Sequence, residues 1–184
     1  MGLDMHLYKR VYIGNQHTKN KNEQLAISLP KNQDKRFFKI KEGDINQDKI
    51  SYIIEEIMYW RKANSIHNWF VDNVQGGNDD CGEYYVSSEI IERLVKECKE
   101  DVEYLKSLEY TGVGYIYSFD KEEEVEYGIY GNVDESKLNL VTTRGFFFGS
   151  TEYSELYVRM LEDTIQKLEP AIGSEHDFYY TSSW

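Results

Sequence analysis

The sequence predicts an α+β fold, a mainly antiparallel sheet packed by about three helices, on three observations. Short runs that alternate apolar and polar residues stand near both ends of the chain. Longer runs with apolar residues every three or four positions lie between them, and no internal repeat, low-complexity tract or long linker interrupts the order. At 184 residues the chain can bury a core without disulfides or metal, so a single domain over 1–184 is expected.

The elements follow in order. Leu3, Met5 and Leu7 alternate with Asp4, His6 and Lys9, the period of a half-buried strand. Gln24–Leu29 and Arg36–Ile40 read as two further short strands, separated by the turn residues Pro30, Asn32, Gln33 and Asp34, with an exposed, mobile loop Asn15–Glu23 before them. From Asn46 to Val74, Ile50, Ile53, Ile54, Ile57, Trp60, Ile66, Phe70 and Val74 recur at helical steps. This predicts one helix, or two with a break at Lys62–Ser65, ended by Gly76 and Gly77. Glu83–Val86 is a short strand, and Ser87 caps a second helix to Leu108 through Ile91, Leu94, Val95, Cys98, Val102 and Leu105. Residues 109–131 alternate again and predict a hairpin turned by the acidic run Asp120–Glu126. A third helix, Glu152–Leu168, stops before Pro170, and DFYYTSSW closes the chain as a strand that ties down Trp184.

The net charge of −12 argues against general nucleic-acid binding, because affinity for phosphates needs a surplus of Lys and Arg. The charge is uneven, with nine Lys/Arg against four Asp/Glu in residues 1–42 and an acidic remainder. Two cysteines, Cys81 and Cys98, do not make a secreted disulfide framework, and the opening MGLDMHLYKR has no apolar signal region, so a cytoplasmic location is expected. No apolar run approaches the roughly 20 residues of a bilayer-spanning helix, so no membrane association is expected.

Chemistry-bearing residues crowd into Tyr59–Ser87, YWRKANSIHNWFVDNVQGGNDDCGEYYVS. On a helix, Glu56, Trp60, Asn64 and His67 would share one face, and the loop Asp79–Glu83 would bring carboxylates and a thiol to the imidazole. Read as a pocket, Trp60 and Trp69 stack on a planar ligand, with Tyr84, Tyr85 and the phenylalanines 146–148 as further platforms. Arg61, Lys62 and Arg144 answer its negative charge, and Asn64, His67, Asp80 and Glu83 take polar edges. The plainer alternative makes Trp60 core, gives His67 a structural hydrogen bond and sets Asp79 and Asp80 to hold the glycine turn. A hydrolase reading uses Cys81 as nucleophile, His67 as base and Asp80 as its orienting carboxylate, without any family's local signature to support it. Imidazole, thiolate and carboxylate all ligate zinc, so His67, Asp79, Asp80, Cys81 and His176 form a metal-binding alternative, but spacings of the CxxC, HxH or HExxH kind are absent, and neither a metal nor another cofactor is expected.

The opening MGLDM and the blocks YWRKANSIHNWFVDNV, DDCGEYYVS, FFFGSTEY and FYYTSSW resemble a family of small bacteriophage and prophage proteins of unassigned activity. The resemblance implies a phage-related cytoplasmic accessory role and carries over no catalytic residue. Residues 109–135 match none of its blocks.

Three functions follow as expectations. The first is binding of a small anionic or nucleotide-like ligand in the aromatic and polar pocket. The second is an acidic interaction module, with sixteen tyrosines and three tryptophans, that occupies the basic site of a host protein. The third is a Cys/His-dependent hydrolase. So many aromatics are also compatible with a homodimer.

Overall fold

Alternation at the start of the chain becomes β1, Asp4–Tyr12, which buries Met5 and Leu7 after Leu3 and leaves Asp4, His6 and Tyr8 half-buried on the other side. The computed structural model describes residues 2–14, 17, 19–20, 43–118 and 122–184. The expected strands Gln24–Leu29 and Arg36–Ile40, and most of the loop Asn15–Glu23, lie outside them.

The chain divides into two compact units, Met1–Lys9 with Glu56–Trp184, and Arg10–Glu55. In the smaller unit, Ile13 N–H donates to Ser51 O at 2.9 Å and the Tyr12 and Tyr52 rings meet at 5.3 Å. A 3₁₀ turn, Gln47–Lys49, is capped there by the Asn46 side chain, which accepts from Asp48 N–H at 3.1 Å.

The fold is α+β, with antiparallel sheets and, among the described residues, three α-helices. A four-stranded sheet has the order β2-β1-β6-β3, formed by β2 Tyr52–Arg61, β3 Glu83–Val86, β6 Asp177–Ser183 and β1. The strands β3 and β6 run antiparallel, with Tyr84 opposite Tyr180 and Tyr85 opposite Tyr179. A separate hairpin pairs β4 Gly112–Ser118 with β5 Glu123–Ile129. Glu123–Glu126 of the expected acidic turn are strand residues there, Glu122 is in the turn at a φ of 55°, and residues 119–121 are not described.

The helix expected over 46–74 is corrected to a strand and a helix. Tyr52–Arg61, YIIEEIMYWR, is rich in β-branched and aromatic residues, and it lies beside β1 with Met58 and Trp60 turned into the core. The chain then breaks at Lys62, whose φ of 58° no helix admits, and Lys62 N–H donates to Leu3 O at 2.7 Å. Helix α1 runs from Asn64 to Asn73, and Gly76 and Gly77, both at positive φ, take the chain out of it.

Helix α2, Ser88–Lys106, and helix α3, Glu155–Leu168, pack against each other. Ile91, Leu94, Val95, Cys98 and Leu105 from α2 meet Tyr157, Val158, Leu161 and Leu168 from α3 in one core with Leu3, Met5, Leu7, Phe70 and Phe178. Asp101 is buried in α2 because its carboxylate accepts from Asn139 N–H and Leu140 N–H, each at 2.8 Å, and so fastens the segment leading into 141–154.

Candidate functional site

His67 is the fourth residue of α1 and is 1% exposed. The imidazole bridges two elements. Its Nε2 is 3.0 Å from Asp79 Oδ2 in the loop after α1, and its Nδ1 is 2.8 Å from the Tyr180 hydroxyl on β6. A neutral ring with its proton on Nε2 satisfies all three groups, since N–H then donates to the carboxylate and Nδ1 accepts from the phenol. Trp184 Nε1 donates to the other Asp79 oxygen at 3.0 Å, and Phe148 meets the imidazole edge-on at 5.4 Å. Burial pushes the Tyr180 phenol well above its ordinary range, and the Asp79 carboxylate and Cys81 thiol add to the shift.

Glu56, Trp60, Asn64 and His67 do not share a helical face, because the first two belong to β2. Trp60 is 3% exposed and its Nε1 donates to Thr164 Oγ1 at 2.8 Å. Trp69 is equally buried, donating to Glu97 Oε2 at 2.5 Å, with the Arg93 guanidinium 5.6 Å from its ring. Neither indole presents an open ring face to a ligand. Asn64 serves as a staple: its Nδ2 donates to the carbonyls of Phe148 and Ser150 at 3.2 and 2.8 Å, and its Oδ1 accepts from Thr143 N–H at 3.0 Å.

The loop 78–82 is held by its own side chains. Asp80 accepts from Gly82 N–H, the Tyr84 hydroxyl and Asn78 Nδ2 at 2.7 to 2.9 Å, and the Tyr84 and Gly82 bonds hold its carboxyl below the usual carboxylate range. Cys81 is exposed at a φ of 57°, and Glu83 is exposed at the start of β3. Both His67 ring nitrogens are engaged by Asp79 and Tyr180, which leaves neither to take a proton from Cys81. Arg61, Lys62 and Arg144 are exposed, with Arg61 Nε 3.9 Å from Asp4. Among the described residues no group of three His, Cys, Asp or Glu is placed to hold a metal ion.

What the sequence reading missed is the outer side of the four-stranded sheet. There His6 lies between the rings of Tyr8, stacked at 5.6 Å, and Tyr59 at 5.1 Å, while Tyr85 and Tyr179 meet edge-on at 5.8 Å. Three carboxylates join them: Glu56 bonds His6 Nδ1 at 2.7 Å, Asp4 accepts from the Tyr59 hydroxyl, and Glu83 extends from β3. The Tyr8 phenol is raised first by burial and then by Glu56 and Glu83, so carboxylates from both edge strands act on one ring of β1. The alternation of Leu3–Tyr8 carried this signal, since it sends Asp4, His6 and Tyr8 to one side together.

A hollow of about 640 Å³ is lined by Tyr130, Val133, Asp134, Glu135, Glu152 and Tyr153 among others, and a groove of about 380 Å³ lies between α2 and α3 at Val102, Glu103 and Ile165. None of the residues expected to bind a ligand lines either one. Comparison with protein-family models, with curated proteins and with solved structures finds no match to this chain.

Proposed function

We propose that this chain is a phage-type, cytoplasmic accessory protein whose acidic, aromatic sheet face occupies a basic site on a partner protein. The observation that carries the reading is the convergence of Asp4, Glu56 and Glu83 with Tyr8, Tyr59 and Tyr85 on the outer side of one sheet. Tyrosines give rigid, amphipathic contact area at small entropic cost, and carboxylates among them select a Lys- or Arg-rich partner. Tyr59 and Tyr85 are 42% and 55% exposed, an arrangement suited to a flat interface. The resemblance to phage proteins is what supports the accessory role and the cytoplasmic location. Binding of a small anionic ligand has less support, because Trp60 and Trp69, its expected stacking platforms, are core.

Titration with a Lys/Arg-rich peptide at low and at physiological salt tests the reading. Binding should weaken with salt, and neutralising Glu56 and Glu83 as glutamines should lower affinity by roughly fivefold for each charge. Neutralising Glu92 and Glu103 on α2 serves as the control. Equal losses from both pairs would mean diffuse attraction to an acidic protein and would remove the face as a site.

A further inference from the structure

The hairpin β4–β5 forms a sheet of its own, and its first strand leaves apolar surface in water. Val113, Tyr115, Ile116 and Tyr117 of β4 are 48 to 61% exposed. The pairing runs unbroken over seven positions, from Gly112 opposite Ile129 to Ser118 opposite Glu123, so no bulge bends the strands. The base is tied to the core, with Ile129 bridged to Ser154 and Tyr130 N–H donating to Tyr153 O at 2.9 Å.

Among the described residues this sheet has two strands, which makes β4 an edge. Natural edges are guarded against a further strand by shortness, charge, proline or a bulge. At the margins of the larger sheet, β3 is four residues long and starts with Glu83, while β2 carries Glu55, Glu56 and Arg61. In the hairpin β5 carries Glu123, Glu124 and Glu126. By contrast β4, GVGYIYS, is seven residues long and has neither charge nor proline.

The register fixes what lies behind that edge, because residues directly opposite share a face. On one face Tyr115 lies opposite Glu126 and Tyr117 opposite Glu124, and the Tyr115 hydroxyl donates to Glu126 Oε2 at 3.2 Å. The bond to Glu126 raises the Tyr115 phenol above its ordinary range, and the charge of Glu124 adds to the shift. On the other face Ile116 lies opposite Val125, and Tyr127 covers Gly114, where a side chain would come within 2.4 Å of its ring. One face is thus aromatic backed by carboxylates and the other apolar. The described residues of the hairpin include no Lys or Arg.

We infer that β4 takes a third strand from a partner protein, an extended segment in which Lys or Arg alternates with apolar residues. Its basic side chains cross the Tyr115 and Tyr117 rings toward Glu126 and Glu124, two strand spacings or about 10 Å away, and its apolar ones lie beside Ile116. Main-chain bonds supply affinity and the alternation supplies specificity. The occupant is basic because the surface behind the edge is acidic; a second copy would bring a further net charge of −12 and a β4 without a cation to answer those carboxylates. This edge is distinct from the outer face of the four-stranded sheet, and either can bind without the other.

Calorimetric titration with an eight-residue peptide of alternating lysine and valine tests it, beside a peptide with the same residues in two blocks. The alternating peptide should bind roughly tenfold more tightly, and alternate backbone amides of β4 should gain protection from hydrogen exchange. Equal affinity for the two peptides, or no gain of protection in β4, would overturn the inference. Ile116→Lys, which puts a charge on the edge, should abolish binding with an unchanged melting curve, and Glu124→Gln with Glu126→Gln should weaken it roughly fivefold. Glu56→Gln with Glu83→Gln should leave it unchanged; if that pair carries the loss instead, the sheet face binds the peptide and the hairpin does not. A doubled mass in sedimentation that Ile116→Lys abolishes would also overturn it, because the edge would then take a second copy.

Discussion

The two sides of the four-stranded sheet carry similar residues and do opposite things with them. On the inner side Trp60 and Tyr180 are buried, and each polar tip has a fixed partner in Thr164 or His67. On the outer side Tyr8, Tyr59, Tyr85 and Tyr179 lie among carboxylates, with Tyr59 and Tyr85 well exposed. An aromatic ring beside a histidine is therefore no sign of a binding site in this protein. What separates the sides is exposure: the inner rings are sealed in the core, and the outer face still offers ring surface and charge.

The largest effect expected from breaking this contrast is at Trp60. Trp60→Ala should cost about 3–5 kcal/mol in urea unfolding, because it empties core volume and removes the indole N–H that Thr164 Oγ1 accepts. If it left the fold intact and abolished binding of a ligand instead, Trp60 would be a site residue. Next comes Tyr180→Phe, which removes the partner of His67 Nδ1 and should cost about 1–3 kcal/mol, with Asp79→Asn similar in the same assay. Tyr85→Ala on the outer face should change stability by no more than about 0.5 kcal/mol while lowering affinity for a basic peptide, as read by calorimetric titration. The smallest effect is at Asp80, whose folded carboxyl is held below its ordinary value of 3.8. A depressed value means that its stabilisation is present above that value and is lost as pH falls through the folded one. Asp80→Asn should therefore lower the melting temperature slightly at neutral pH, where that stabilisation is fully present, leave the acid end nearly unchanged, and so flatten the decline of melting temperature below about pH 4.

Much of this contrast was legible in the sequence, and the part that was not has a physical reason. Strands β1, β3 and β6, the hairpin, and helices α2 and α3 announce themselves through strict periods and clear caps or breakers. The strand β2 does not, since Ile50, Ile53, Ile54, Ile57 and Trp60 fall at helical steps by chance, with Ile54 58% exposed and contributing nothing to a core stripe. The break at Lys62–Ser65 was visible, although the positive φ that makes it was not. His67 and Asp79 are twelve positions apart across a glycine turn, so their meeting could be expected. The bonds from Trp60 to Thr164 and from His67 to Tyr180 span more than a hundred positions, and only the packed fold reveals them.

The indole of Trp184 gives the molecule a built-in optical probe. It is 52% exposed and bonded to Asp79, whereas Trp60 and Trp69 are shielded. A dissolved quencher such as iodide should reach Trp184 and spare the other two, so the quenchable part of the emission reports the His67–Asp79–Tyr180 cluster. Loss of the shielded emission reports unfolding of the core. Opening of that cluster and melting of the whole unit can thus be timed separately in one cuvette, without attaching a dye.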